Sequence, residues 1–181
     1  FSNKIMKYCD SISDEISLEN RKDLRELNFI TIDGDDAKDY DDAIYVEQIE
    51  LGYRLYVSIA DVSHYVEEGS ILDKEAFNRG TSIYYPGKVI PMLPFKLSDV
   101  LCSLMEGKDR YTITCQMDVD YNGEVLSYEI YPSVICSKHR MTYSNVNKIL
   151  SHDKELLDKY RDITNMIYTA YSLSRIANKV R

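Results

Sequence analysis

The stretch Tyr111-Thr112-Ile113-Thr114-Cys115-Gln116-Met117-Asp118-Val119, followed by Asn122-Gly123 and then by Leu126, Tyr128 and Ile130, decides the fold class. Tyr111, Ile113, Cys115, Met117 and Val119 alternate with Thr112, Thr114, Gln116 and Asp118. A period of two puts the two sets on opposite faces of a strand. Asn-Gly is the strongest short hairpin signal, so a return strand follows it.

Working outward, the same period recurs upstream. Tyr53, Leu55, Val57 and Ile59 alternate with Arg54, Tyr56, Ser58 and Ala60, a strand with one face inward. Gly52 marks the turn before it, and Ala43-Ile44-Tyr45-Val46 forms the strand before that. Phe29-Ile30-Thr31-Ile32 is a further short strand, ending abruptly at Asp33-Gly34. A helix is expected near 72–79, and Pro86, Pro91 and Pro94 then enforce an irregular path. From about 153 the period changes. Leu156, Tyr160, Ile163, Ile167, Ala170, Leu173, Ala177 and Val180 step by three or four, which predicts one long amphipathic helix to the last residue. The expected fold is α+β: a largely antiparallel, curled sheet with flanking helices and a long C-terminal helix. Residues 1–28, polar and mixed in charge, form a lead-in segment, helical in part, and 29–181 form the domain.

Composition sets bounds. The 181 residues are 44% hydrophobic, ordinary for a packed domain. The net charge of −8 excludes a domain that holds nucleic acid by net positive charge alone. No apolar run is long enough to span a bilayer. Residue 1 is Phe and no basic-then-apolar leader opens the chain, so a cytoplasmic chain that starts within a longer protein is expected. Cys9, Cys102, Cys115 and Cys136 lack zinc-ligand spacing and read as reduced thiols. The sixteen tyrosines suit half-buried strands and base stacking alike.

Residues 33–42 read Asp-Gly-Asp-Asp-Ala-Lys-Asp-Tyr-Asp-Asp, with six aspartates offset only by Lys38. Crowded carboxylates repel, and their pKa values rise unless a cation neutralises them. A hard divalent cation does so through oxygen ligands. An ordinary charge run is a solvated loop. The flanking apolar strands and the short, uniform Asp side chains favour a metal site instead. An EF-hand fails on spacing, because Ala37 and Lys38 occupy ligand and glycine positions. A phosphatase of the Asp-x-Asp-x-Thr/Val type begins correctly at Asp33 but meets Ala37 at position five. That enzyme and a non-catalytic divalent-cation or RNA-binding module remain the alternatives.

Several separated motifs share one family pattern. They are Asp23-Leu24-Arg25-Glu26-Leu27, Thr31 through Ala43, Ile59-Ala60-Asp61-Val62-Ser63-His64-Tyr65-Val66, Arg79 through Pro86, Val89 through Pro94, Leu101-Cys102-Ser103-Leu104 and His139-Arg140-Met141-Thr142-Tyr143. In this order they resemble the catalytic (RNB) domain of the ribonuclease II/R family, nearer its ribonuclease R branch, over roughly 20–150 and the terminal helix.

The resemblance implies a Mg²⁺-dependent exoribonuclease that hydrolyses single-stranded RNA processively from the 3′ end to nucleoside 5′-monophosphates. The family's metal-site aspartates fall on Asp33, Asp39, Asp41 and Asp42. The first and fourth are expected to hold the ion at the scissile phosphate, and Asp41 to matter most for cleavage. Asp39 and Asp41 are expected to serve a second ion or the terminal nucleotide. Tyr84 matches the aromatic that stacks on the 3′-terminal base. Read alone, His64 is a structural hydrogen-bonder, and Lys138 and Arg140 are solubilising or phosphate-touching cations. The chain corresponds to the N-terminal half of the family domain. It lacks the Arg-rich second half and the cold-shock-type and S1-type domains that flank the domain. As a fragment it is expected to be weak or inactive.

Overall fold

The computed structural model describes residues 1–37 and 39–180. Lys38, read above as the cation inside the acidic run, and Arg181 lie outside the described residues. Among the described residues nine strands and six helices alternate: α1 (Asn3–Asp10), β1 (Lys22–Asp23), β2 (Ile30–Asp33), β3 (Asp42–Ile49), β4 (Gly52–Ala60), α2 (Val62–Tyr65), α3 (Ile71–Arg79), β5 (Ile83–Tyr85), β6 (Lys88–Ile90), a π-helical turn (Lys96–Leu101), β7 (Asp109–Asp120), β8 (Val125–Cys136), β9 (His139–Thr142), α4 (Tyr143–Leu150), α5 (Lys154–Lys159) and α6 (Thr164–Val180). Seven strands form one sheet in the order β1-β8-β7-β4-β3-β2-β9, and β5–β6 is a separate hairpin. Only the outermost pairs, β1–β8 and β2–β9, are parallel. The expected α+β class and mostly antiparallel sheet are therefore observed. Among the described residues no helix is long and apolar enough to cross a membrane.

The hairpins arise where the turn residues require them. Asn122-Gly123 closes β7 onto β8, with Gly123 at φ 92°. Gly52, at φ 154°, closes β3 onto β4, where a Cβ would stand 2.1 Å from the Val119 carbonyl oxygen, so no side chain fits. Ser2, Ser70, Thr142 and Asp153 cap their helices with side-chain oxygens.

Two layers cover the sheet. On one face α1, α3 and the π-helical turn bury Ile5, Cys9, Leu72, Leu97 and Leu101 against Ala43, Tyr56, Ala60 and Val134. The lead-in segment is thus part of this core, through α1 and through the pairing of β1 with β8. On the other face α6 packs Ile167 and Leu173 over Ile30, Val46, Tyr53 and Val119.

Two local readings are corrected. The helix expected from 153 onward is two helices, α5 and α6, interrupted at Tyr160. Tyr160 and Ile163 are both buried there, and Asp162 lies 2.7 Å from the His139 ring. The return strand that carries Leu126, Tyr128 and Ile130 is β8, which runs on to Cys136. Finally, alternation in β4 and β7 misidentifies the buried side at mid-strand. Ser58, Thr112, Thr114 and Ser133 are fully buried and joined hydroxyl to hydroxyl at 2.6–2.7 Å, whereas Ile59 is 47% and Ile130 61% exposed.

Candidate metal and nucleotide site

β2 ends on Asp33 and β3 begins on Asp42, and these strands are antiparallel neighbours. The sheet therefore returns the two ends of the acidic run to one edge. Outside groups lace the loop between them. Ala60 N–H donates to the Asp41 carbonyl at 2.9 Å, and Leu104 N–H to the Tyr40 carbonyl at 2.8 Å. The Tyr40 hydroxyl donates to the Ala37 carbonyl at 3.0 Å, and Tyr40 N–H reaches Ser103 Oγ at 3.2 Å. Arg140, from β9, donates through one guanidinium nitrogen to the carbonyls of Gly34 and Asp35 at 3.1 and 2.8 Å.

The carboxylates interact as crowded like charges do. Partial burial and then the Asp42 charge push Asp33 above the usual carboxylate range, against the pull of Arg140. Asp41 is raised by desolvation and then by Asp39 and Asp42. Asp33 Oδ2 is buried and has no hydrogen-bond partner among the described residues. An all-oxygen donor set with an orphaned carboxylate oxygen suits a hard divalent cation. Yet no three His, Cys, Asp or Glu side chains among the described residues are already arranged to hold a metal ion. The acids are gathered by the fold but not focused on one point.

Tyr84 projects from the β5–β6 hairpin and is 67% exposed. Its hydroxyl donates to Asp39 Oδ2 at 3.4 Å, and the Asp39 charge is the main cause of its raised pKa. Tyr84 and Asp39 line a groove of about 820 Å³ with Ser82, Lys88 and Phe95. The structure thus brings Asp39 to Tyr84, and Asp33 and Asp41 to Asp42. Sequence reasoning missed the Arg140 and Tyr40 contacts: both residues lie in the quoted motifs, but nothing in those motifs says what they touch.

His64 stands apart from this groove. It is packed 3.9 Å from the Tyr111 ring and 4.9 Å from Tyr65, beside a cavity of about 330 Å³ that Arg21 and Tyr111 also line. Burial, then Arg21, lower its pKa. Its backbone N–H donates to Asp61 Oδ1 at 3.2 Å.

The RNB domain family matches residues 21–181. The chain belongs to the RNB domain family. Ribonuclease R of Thermotoga maritima is 49% identical over 185 aligned positions, which cover all of this chain and 26% of that protein. Escherichia coli ribonuclease R is 45% identical over 162 positions, covering 89% of this chain and 20% of the relative. Among solved structures, Mycoplasma genitalium RNase R in complex with ribose-methylated single-stranded RNA superposes with a TM-score of 0.87 at 37% identity, over 97% of this chain and 28% of that one. The chain therefore spans about a quarter of the length of these RNB proteins.

Proposed function

We propose that this chain is the acid-bearing part of a Mg²⁺-dependent exoribonuclease, which hydrolyses single-stranded RNA from its 3′ end and releases nucleoside 5′-monophosphates. The observation that carries the reading is the return of Asp33 and Asp42 to one sheet edge, with Asp39 turned to an exposed tyrosine in an open groove. When bound, Mg²⁺ would polarise the scissile phosphate and lower the pKa of the attacking water. Asp33 and Asp42 would hold the ion at the scissile phosphate. Asp41 and Asp39 would serve a second ion or the terminal nucleotide. Tyr84 offers its ring to the 3′-terminal base while its hydroxyl rests on Asp39. Stacking of this kind accepts every base, as an unselective exonuclease needs. The remaining three-quarters of the relatives' length would carry the cationic groups that this acidic stretch lacks. Flanking cold-shock-type and S1-type domains are expected in that remainder, in a cytoplasmic enzyme.

Incubation with Mg²⁺ and a 3′-tailed single-stranded RNA tests the reading in the longer enzyme. The expected product is mononucleotide, and Asp41→Asn should abolish it. Mononucleotide release that survives this change would refute the assignment. Cleavage of a phosphate monoester in place of RNA would indicate a phosphatase, and RNA binding without product a non-catalytic module.

A further inference from the structure

Arg140 reads as an ordinary surface cation, but its surroundings are not ordinary. Its strand, β9, lies parallel to β2 in a register that pairs Arg140 with Thr31 and Thr142 with Asp33. Glu106 Oε2 accepts its backbone N–H at 2.8 Å and anchors the strand from outside. The side chain then crosses to the acidic loop and donates to two successive carbonyls, those of Gly34 and Asp35. Its guanidinium carbon lies 5.4 Å from the centre of the Tyr40 ring, so one side chain meets both the entry and the exit of the loop. Among the described residues it makes no ion pair, and its Nε is buried without a hydrogen-bond partner.

Gly34 explains why the loop needs such a clamp. A Cβ there would meet nothing within 4 Å, and besides Arg140 the turn is held by Ala37 N–H donating to the Gly34 carbonyl at 3.2 Å and Ser144 Oγ donating to Asp35 Oδ2 at 3.1 Å. With six aspartates repelling one another, a turn held by so few contacts tends to open. Hydrogen bonds from a half-buried guanidinium to its backbone carbonyls hold it without consuming a carboxylate oxygen. We propose that Arg140 is a positioning residue for the cation site: it fixes the Gly34–Asp35 turn, and through it the direction of Asp33, so that divalent-cation affinity depends on it. This inference rests on the metal reading of the loop.

The sign of the effect separates positioning from simple electrostatics. A cation beside a cation site repels the ion, so removing the charge alone should tighten metal binding. Loss of a group that orients ligands instead typically weakens metal affinity by about 10- to 100-fold. Mg²⁺ titration by calorimetry on the full chain is therefore expected to show Arg140→Met binding about 10- to 100-fold more weakly. Arg140→Lys, which can still donate to both carbonyls, should recover most of the affinity. Turnover in Arg140→Met should return at saturating Mg²⁺ with the KM for RNA unchanged, which a generally damaged fold would not allow. If Arg140→Met does not fold, Arg140→Gln carries the same readout. Unchanged or tighter Mg²⁺ binding, while Asp41→Asn loses it, overturns the clamp alone. Mg²⁺ binding that survives Asp41→Asn removes the metal reading and the clamp with it.

Discussion

Arg21→Met tests how the fold fixes the edge on which the acids stand. Arg21 Nη2 lies 2.6 Å from Asp61 Oδ2, and the two side chains are only 11% and 4% exposed. Its other terminal nitrogen donates to the carbonyls of Thr112 and Ser133, both at 3.3 Å. Burial pushes Asp61 upward, but hydrogen bonds from the Ser63 hydroxyl and from Arg21 outweigh it and hold the carboxyl below its ordinary value. Removing one partner of a buried pair leaves an uncompensated charge, typically about 3–5 kcal/mol. The two long hydrogen bonds to carbonyls each add up to about 1 kcal/mol. Ser63 Oγ, at 2.6 Å, and the His64 N–H remain as donors to Asp61 and offset part of the loss. We therefore expect about 3 kcal/mol of destabilisation, near a hundredfold in the folding equilibrium. Urea unfolding followed by circular dichroism measures this, with an unchanged m-value showing that the unfolded state is comparable. Arg21→Met/Asp61→Asn should regain about half of the loss, because no charge is then left buried. Asp61 contributes stability above its unfolded pKa, and that stability is lost as pH falls through the lowered folded value. The Arg21→Met deficit should therefore shrink in acid. A loss under about 1 kcal/mol at neutral pH would show that the pair is solvated and the reasoning wrong.

Tyr84→Ala should raise the KM for RNA by about 10- to 100-fold, the worth of one base stack, whereas Tyr84→Phe, which loses only the contact with Asp39, should stay close to the parent. Raised pKa values at Asp33 and Asp41 mean that a cation must displace protons. Mg²⁺ affinity should accordingly begin to fall at a higher pH than ordinary carboxylates, which titrate near pH 4, would predict. In that range the metal-free fold should gain stability as pH falls, because its raised carboxyls take up protons that the unfolded chain does not bind; a pH-independent midpoint of unfolding would contradict the shifts. RNA affinity at fixed ionic strength should first rise with Mg²⁺, as the acidic loop is neutralised. A monotonic fall would mean that the loop does not face the RNA.

Local chemistry made the strands legible. Asn122-Gly123 and Gly52 specify turns through φ values that few residues adopt, and both turns stand where they were read. The buried side of β4 and β7 was not legible, because hydrophobic alternation assumes that apolar residues are the buried ones. Here Ser58, Thr112, Thr114 and Ser133 satisfy one another's hydroxyls and fill the core, and the apolar row of Ile59 and Ile130 faces the side that α6 covers only in part. At the break after α5, His139 of β9 meets Asp162 from 23 residues away, a contact that helical periodicity does not announce. Arg140 likewise meets the loop across 106 residues, through a parallel β2–β9 pairing that no hairpin signal announces. Contacts of that separation follow from topology, and a single sequence does not carry topology.

The charge distribution gives the site its logic. Six aspartates in ten residues would repel an approaching phosphodiester as strongly as they repel one another. The fold does not relieve this by pairing each acid with a base: Arg140 spends its hydrogen bonds on carbonyls, and Asp33 keeps a buried oxygen unpartnered. A protein that needed only a stable loop would gain by replacing these acids with neutral polar residues. Keeping them, with Asp33 and Asp41 raised in pKa and Asp39 held at a groove beside an exposed aromatic, is a standing cost that a bound cation would repay. The scaffold accordingly holds the loop's backbone and leaves Asp33 Oδ2 without a partner among the described residues.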